Sequence, residues 1–104
     1  AYAANSDYAP VRGATDLKLA WQIRLDGAIN LAPTSDDRGR VWVAETGIQP
    51  NRIVAVESGT GRVIGEAVVA ESGGGTIRHM TFDPRTRFIW FGTDRNTIGR
   101  VEVP

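Results

Sequence analysis

Thr34-Ser35-Asp36-Asp37-Arg38-Gly39-Arg40-Val41-Trp42-Val43 returns later in the chain as Thr81-Phe82-Asp83-Pro84-Arg85-Thr86-Arg87-Phe88-Ile89-Trp90-Phe91. The offset is 47 residues from Thr34 to Thr81 and 48 from Trp42 to Trp90, so one residue is inserted between them, in the turn. Downstream, Asn51-Arg52-Ile53-Val54-Ala55-Val56 matches Asn96-Thr97-Ile98-Gly99-Arg100-Val101. The first copy carries three extra residues in between, within Gly47-Ile48-Gln49-Pro50. A fixed period of this length is the signature of an architecture built from repeated supersecondary units.

Each segment of a copy reads as a short strand. Arg40-Val41-Trp42-Val43-Ala44-Glu45 alternates in hydropathy and ends in the turn Thr46-Gly47. Ser58-Gly59-Thr60-Gly61 makes a tight turn before the β-branched run that begins at Val63-Ile64. The run Gly73-Gly74-Gly75 fits neither a helix nor a stable strand and is expected to be a loop between units. No window keeps a helical period. The expected strands are 18–25, 29–35, 40–45, 52–57, 62–70, 76–82, 87–92 and 97–103.

Four short strands in 40 to 50 residues is the period of a β-propeller blade. The fold expected is therefore all-β, with two four-stranded blades in the order D, A-B-C-D, A-B-C. Residues 1–16 form an extended N-terminal arm, and 17–104 carry the repeats, at about 27–72 and 73–104. The 18–25 strand is a clasp: an outer strand lacking a blade, matched to a second blade lacking its outer strand. Two blades cannot close a ring of typically four to eight. Closure then requires a homo-trimer or homo-tetramer, or a hetero-partner supplying the other blades; the alternative is that the chain is a piece of a longer protein.

Composition narrows the partners. Twelve Lys and Arg balance twelve Asp and Glu, and no basic stripe marks a nucleic-acid surface. No run approaches the roughly 18 apolar residues of a membrane-spanning helix. With no cysteine there is no disulfide, thiolate metal site or Cys nucleophile. Ala1-Tyr2-Ala3-Ala4-Asn5-Ser6 resembles a mature start after a small-residue cleavage site, which points to a periplasmic or extracellular protein.

Ile89-Trp90-Phe91-Gly92-Thr93, followed by Asn96-Thr97-Ile98-Gly99-Arg100-Val101, resembles the repeat motif of streptogramin B (virginiamycin B) lyase-like propellers. Ile77-Arg78-His79-Met80-Thr81-Phe82 is similar to the inner-strand motif before it, and Val41-Trp42-Val43-Ala44-Glu45 is a looser copy. Leu17-Lys18-Leu19-Ala20-Trp21-Gln22-Ile23 and Arg52-Ile53-Val54-Ala55-Val56-Glu57-Ser58-Gly59-Thr60-Gly61-Arg62-Val63 resemble pyrroloquinoline-quinone-type propeller repeats. Both resemblances imply the same fold and different chemistry, and a shared fold does not transfer function.

The lyase resemblance implies Glu45 as a Mg²⁺ ligand and His79 as the acid/base group. The alternative is structural, with Glu45 capping a strand end and His79 bonding a neighbouring carbonyl. One metal ligand per chain falls short of the oxygen octahedron Mg²⁺ requires. Arg38, Arg40, Arg85 and Arg87 repeat in equivalent turns, where they form either a ligand face for carboxylate or phosphate or a solvated turn. Trp42 and Trp90 are expected to fill the gaps between neighbouring sheets. The leading function is a non-catalytic binding or scaffold subunit of a larger extracytoplasmic assembly, with no cofactor. A Mg²⁺-dependent lyase-like enzyme is the second reading and a quinoprotein dehydrogenase piece the third. The third lacks a vicinal Cys pair and an acidic cluster for Ca²⁺.

Overall fold

The computed structural model describes residues 16–69 and 75–104. The expected N-terminal arm, except Asp16, and most of the Gly73-Gly74-Gly75 loop lie outside the described residues. Seven strands form, and no helix occurs among the described residues. They are β1 (Thr34–Ser35), β2 (Arg40–Glu45), β3 (Asn51–Glu57), β4 (Val63–Val69), β5 (Ile77–Asp83), β6 (Phe88–Thr93) and β7 (Ile98–Glu102). Two antiparallel sheets result, one of four strands in the order β1-β2-β3-β4 and one of three in the order β5-β6-β7.

The sequence repeat is reproduced in the register. Thr34 pairs with Trp42, as Thr81 does with Trp90. Trp42 faces Ala55 and Val43 faces Val54, where Trp90 faces Arg100 and Phe91 faces Gly99. The inserted residue falls in the first hairpin of the second sheet. There the left-handed position is Arg87 (φ 61°), where the first sheet has Gly39 (φ 74°). Arg87 holds that conformation while its backbone N–H donates to Asp83 O and its guanidinium pairs with Asp37 at 2.6 Å.

Two expected strands are corrected. Residues 18–25 form no strand and add to no sheet edge. Trp21 instead fixes this segment: its indole N–H donates to Ser58 O at 2.8 Å, and its ring fills the space where a Cβ on Gly61 would sit. Trp21, Ile23 and Leu25 thus lie over Val41, Val43 and Val56 on the outer face of the first sheet. Within this segment Trp21 and Leu25 are half-buried, while Leu17, Leu19 and Ile23 stay exposed. The expected 29–35 strand shortens to Thr34–Ser35. Ala28 bridges Thr46, and the six steps from Ala28 to Thr34 oppose four from Thr46 to Trp42. The surplus must bulge out, and Pro33 within it has no N–H to give the ladder.

The sheets stack face against face. Trp42, Ala44, Ile53, Ala55 and Val69 from the first meet Ile77, Ile89 and Val103 from the second, with Met80, Phe82, Phe91 and Val101 packed around them. Alternation explains the choice of residues, since Trp42 and Ala44 share one face of β2 while Val41 and Val43 take the other. Between the sheets the main backbone approach is β1 against β5. At the opposite edge a cleft of about 300 Å³ opens between β4 and β7, lined by Ile64, Ala67, Val101 and Glu102 among others. The pair therefore forms a wedge, narrow at its first strands and open at its last.

Candidate functional site

Asp36 and Asn51, both matched in the repeat but neither expected as a site residue, carry the polar framework. The Asp36 side chain is fully buried. Its carboxylate accepts from the backbone N–H groups of Arg38 and Arg40, the Arg40 Nε and the Trp42 indole Nε1, at 2.8–3.1 Å. Burial alone would raise its pKa, but the Trp42 N–H, the two backbone N–H groups and Arg40 outweigh it and hold the carboxyl below its ordinary value. Asn51 is also buried. Its Nδ2 donates to Ile48 O and its Oδ1 accepts from Ile77 N–H, each at 2.9 Å, which ties the first sheet to β5. An Asp four residues before Arg and six before Trp was the available signal for the first. The repeat matches Asn51 with Asn96, but nothing local marks its bond to Ile77, which is 26 residues away.

Glu45 closes β2 with its side chain 2% exposed. Oε2 accepts from Gly27 N–H at 2.8 Å, and Oε1 lies 3.0 Å from Arg52 Nε. That second contact is an ion pair set off the line a hydrogen bond needs. Arg52 also reaches Asp26 at 3.2 Å and Glu66 at 3.8 Å. Asp26 first, and the two glutamates after it, raise the Arg52 pKa against the opposing effect of burial. Glu45 thereby holds the 26–28 segment against the strand end. Among the described residues no three His, Cys, Asp or Glu side chains gather as a metal site.

His79 is exposed on β5. With Thr81, Trp90, Gly92 and Ile98 it lines a shallow depression of about 280 Å³ on the outer face of the second sheet. Glu45 belongs, by alternation, to the outer face of the first sheet, with Val43 and Arg52. The two residues paired by the lyase resemblance thus occupy opposite outer faces, with both sheets between them.

The four arginines divide. Arg40 pairs with Asp36 at 2.8 Å, Arg87 with Asp37 at 2.6 Å, and both donate to Pro104 O, at 2.7 and 3.3 Å. These two stitch the hairpins of neighbouring sheets together. Arg38 and Arg85 are exposed at the tips of those hairpins. Asp83 repeats the Asp36 turn, and the Arg85 backbone N–H leads Thr86 in lowering its pKa.

The tryptophans separate most clearly. Trp42 is 5% exposed between the sheets, whereas Trp90 points away from the first sheet and is only half-buried. Ile53 and Ile98 are equivalent in register, yet Ile53 is fully buried and Ile98 is 76% exposed. Beside them Arg100 stacks on Phe88 at 4.2 Å, and Phe88 meets the Trp90 ring edge-on at 5.9 Å. Chemically, this site offers an apolar face with a rim of Arg and His, suited to docking. The chain has no significant match to any family model, curated protein or solved structure.

Proposed function

We propose that the chain is a non-catalytic binding or scaffold module made of two β-propeller blades, part of a larger extracytoplasmic ring. One observation carries the reading: the position that is sealed between the sheets at Trp42 and Ile53 is half-buried at Trp90 and exposed at Ile98. A stack in which every sheet presents the same two faces is a series, and a third sheet would cover the open face as the second covers the first. The wedge supports this, because blades converge at their inner strands and splay at their outer ones, as β1 and β5 converge while β4 and β7 splay. The repeat resembles lyase-like propellers, but Glu45 engaged by Gly27 and Arg52 and His79 on the opposite face favour the scaffold reading over the enzyme.

Joining three or four copies in tandem in one polypeptide tests the blade assignment without relying on association. Expected is a compact monomer that melts in one transition well above the single copy. Small-angle scattering of an extended string of independent units, with an unchanged melting temperature, refutes it.

A further inference from the structure

Both halves of the contact between the sheets recur on the outer faces of the stack. Inside the chain, the knob is Trp42 with Ile53, and it packs with a bed that includes Met80, Ile89, Phe91 and Val101. The knob recurs in the open as Trp90 with Ile98. By register, the bed's equivalents in the first sheet are Pro33, Val41, Val43 and Val56: Val41 pairs Val56 as Ile89 pairs Val101. Those four line an apolar slot of about 220 Å³ together with Trp21, Ile23, Leu25 and Ile29. The first three of these lie over part of it, so that Val56 is only 2% exposed while Val41 and Val43 remain half-buried. An apolar cavity of about 150 Å³ accepts a benzene-sized ring, so the slot has room for an aromatic side chain. It lies on the outer face of the first sheet, opposite the Trp90 face.

We propose that the Trp90–Ile98 face of one copy docks head-to-tail into the Pro33–Val41–Val43–Val56 slot of a second copy. The inference rests on the blade assignment and adds to it the identity of the partner and the two surfaces that meet. The internal contact is its template, since the same register positions already pack against each other within one chain. Knob and slot are different surfaces on opposite sides, so the contact is heterologous; it yields a closed ring where the rotation per copy closes and a filament where it does not. The exposed apolar residues agree: Ile98 on the knob, and Ile23 (42% exposed) and Ile29 (46% exposed) on the slot wall. Contiguous apolar surface of this kind marks an interaction site. Arg100 departs from the template: it sits directly across from Trp90, where the internal contact has the buried Ala55, and it stacks on Phe88. His79 lies at the knob's edge as part of a polar rim.

The test is light scattering of the full chain over a range of concentrations, with Ile98→Asp to block the knob and Ile23→Asp to block the slot. Ile29→Asp provides a second slot-blocked variant should Ile23→Asp loosen the segment over 16–33. Circular dichroism checks that each variant keeps its strands. The parent is expected to grow into multi-copy species, and each variant alone to associate at least about 30-fold more weakly. An equimolar mixture of a knob-blocked and a slot-blocked variant retains one good contact and should stop at a dimer. A parent that stays monomeric at every concentration overturns the inference, as does association that survives Ile98→Asp. A slot-blocked variant that dimerises alone as well as the parent does would make the contact face-to-face and equally overturn it. If the tandem chain closes while separate copies stay apart, the blade assignment stands and self-association fails.

Discussion

Replacing Trp42 with alanine should come close to unfolding the chain, whereas the same change at Trp90 should barely affect a single copy. Trp42 is 5% exposed, in one cluster with Ala44, Ile53, Ala55 and Ile89. Truncating a buried Trp costs about 3–5 kcal/mol through lost burial and the cavity left behind. Its N–H also donates to Asp36 at 2.8 Å, and the hydrogen bond to a carboxylate adds about 1.5–3 kcal/mol. These contributions overlap, and Asp36 retains its two backbone N–H donors and Arg40, so the lower half of the summed range, about 4.5–6 kcal/mol, is expected. A domain of this size has only about 5–15 kcal/mol in total. Trp42→Phe separates the contributions: it keeps most of the ring contacts, loses the N–H, and should cost about 2 kcal/mol. Trp90→Ala should cost about 1 kcal/mol or less in dilute solution, because that ring is half-buried on an open face. Urea unfolding followed by circular dichroism, at concentrations where the chain is monomeric, measures all three. Equal losses at Trp42 and Trp90 under those conditions would refute the assignment of one ring to a filled interface and the other to an open one.

Glu45→Ala removes the acceptor for Gly27 N–H and leaves Arg52 without its most buried partner; with Arg52 itself 25% exposed, a loss of about 2–3 kcal/mol is expected in the same assay. Asp36 has a folded pKa below its unfolded value of about 3.9, so its contribution is complete above that pH and is lost as pH falls through the folded value. Stability measured from pH 6 down to pH 2 should therefore decline below about pH 4, and a decline equally steep in Asp36→Asn would remove Asp36 as its cause. Gly61 has φ 78° and a Cβ there would lie 2.7 Å from the Trp21 ring, so Gly61→Ala should displace Trp21 at a cost of about 1–3 kcal/mol, read from the loss of its fluorescence shift on unfolding. His79→Ala is exposed and should melt within about 0.5 kcal/mol of the parent; loss of a Mg²⁺-dependent lyase activity in that folded variant would restore the enzyme reading.

Strand positions were legible because their physics is local. Alternation over Arg40-Val41-Trp42-Val43-Ala44-Glu45 and the turn at Ser58-Gly59-Thr60-Gly61 place β2, β3 and β4 within a residue or so of the expected bounds. The offset between Trp42 and Trp90 likewise yields the register of both sheets, since equivalent side chains need equivalent cross-strand partners. Residues 18–25 pair with no strand of this chain for the converse reason. Trp21-Gln22-Ile23 has the alternation of a strand, but Trp21 engages Gly61 and Ser58, and neither partner is near in sequence.

By itself, then, the sequence determined an all-β chain of two repeated antiparallel sheets, through periodicity, turn residues and the matched order of Thr, Asp, Trp, Asn and Ile. Which of the repeated residues are spent inside the chain was decided only by the tertiary structure. Trp42 and Trp90, or Ile53 and Ile98, cannot be told apart by spacing, because each pair fills the same place in its own sheet. Stacking breaks that equivalence: a sheet has two faces, and one contact between two sheets covers one face of each. Among the described residues the second face of each sheet has no neighbouring sheet, and local sequence cannot record which face that is.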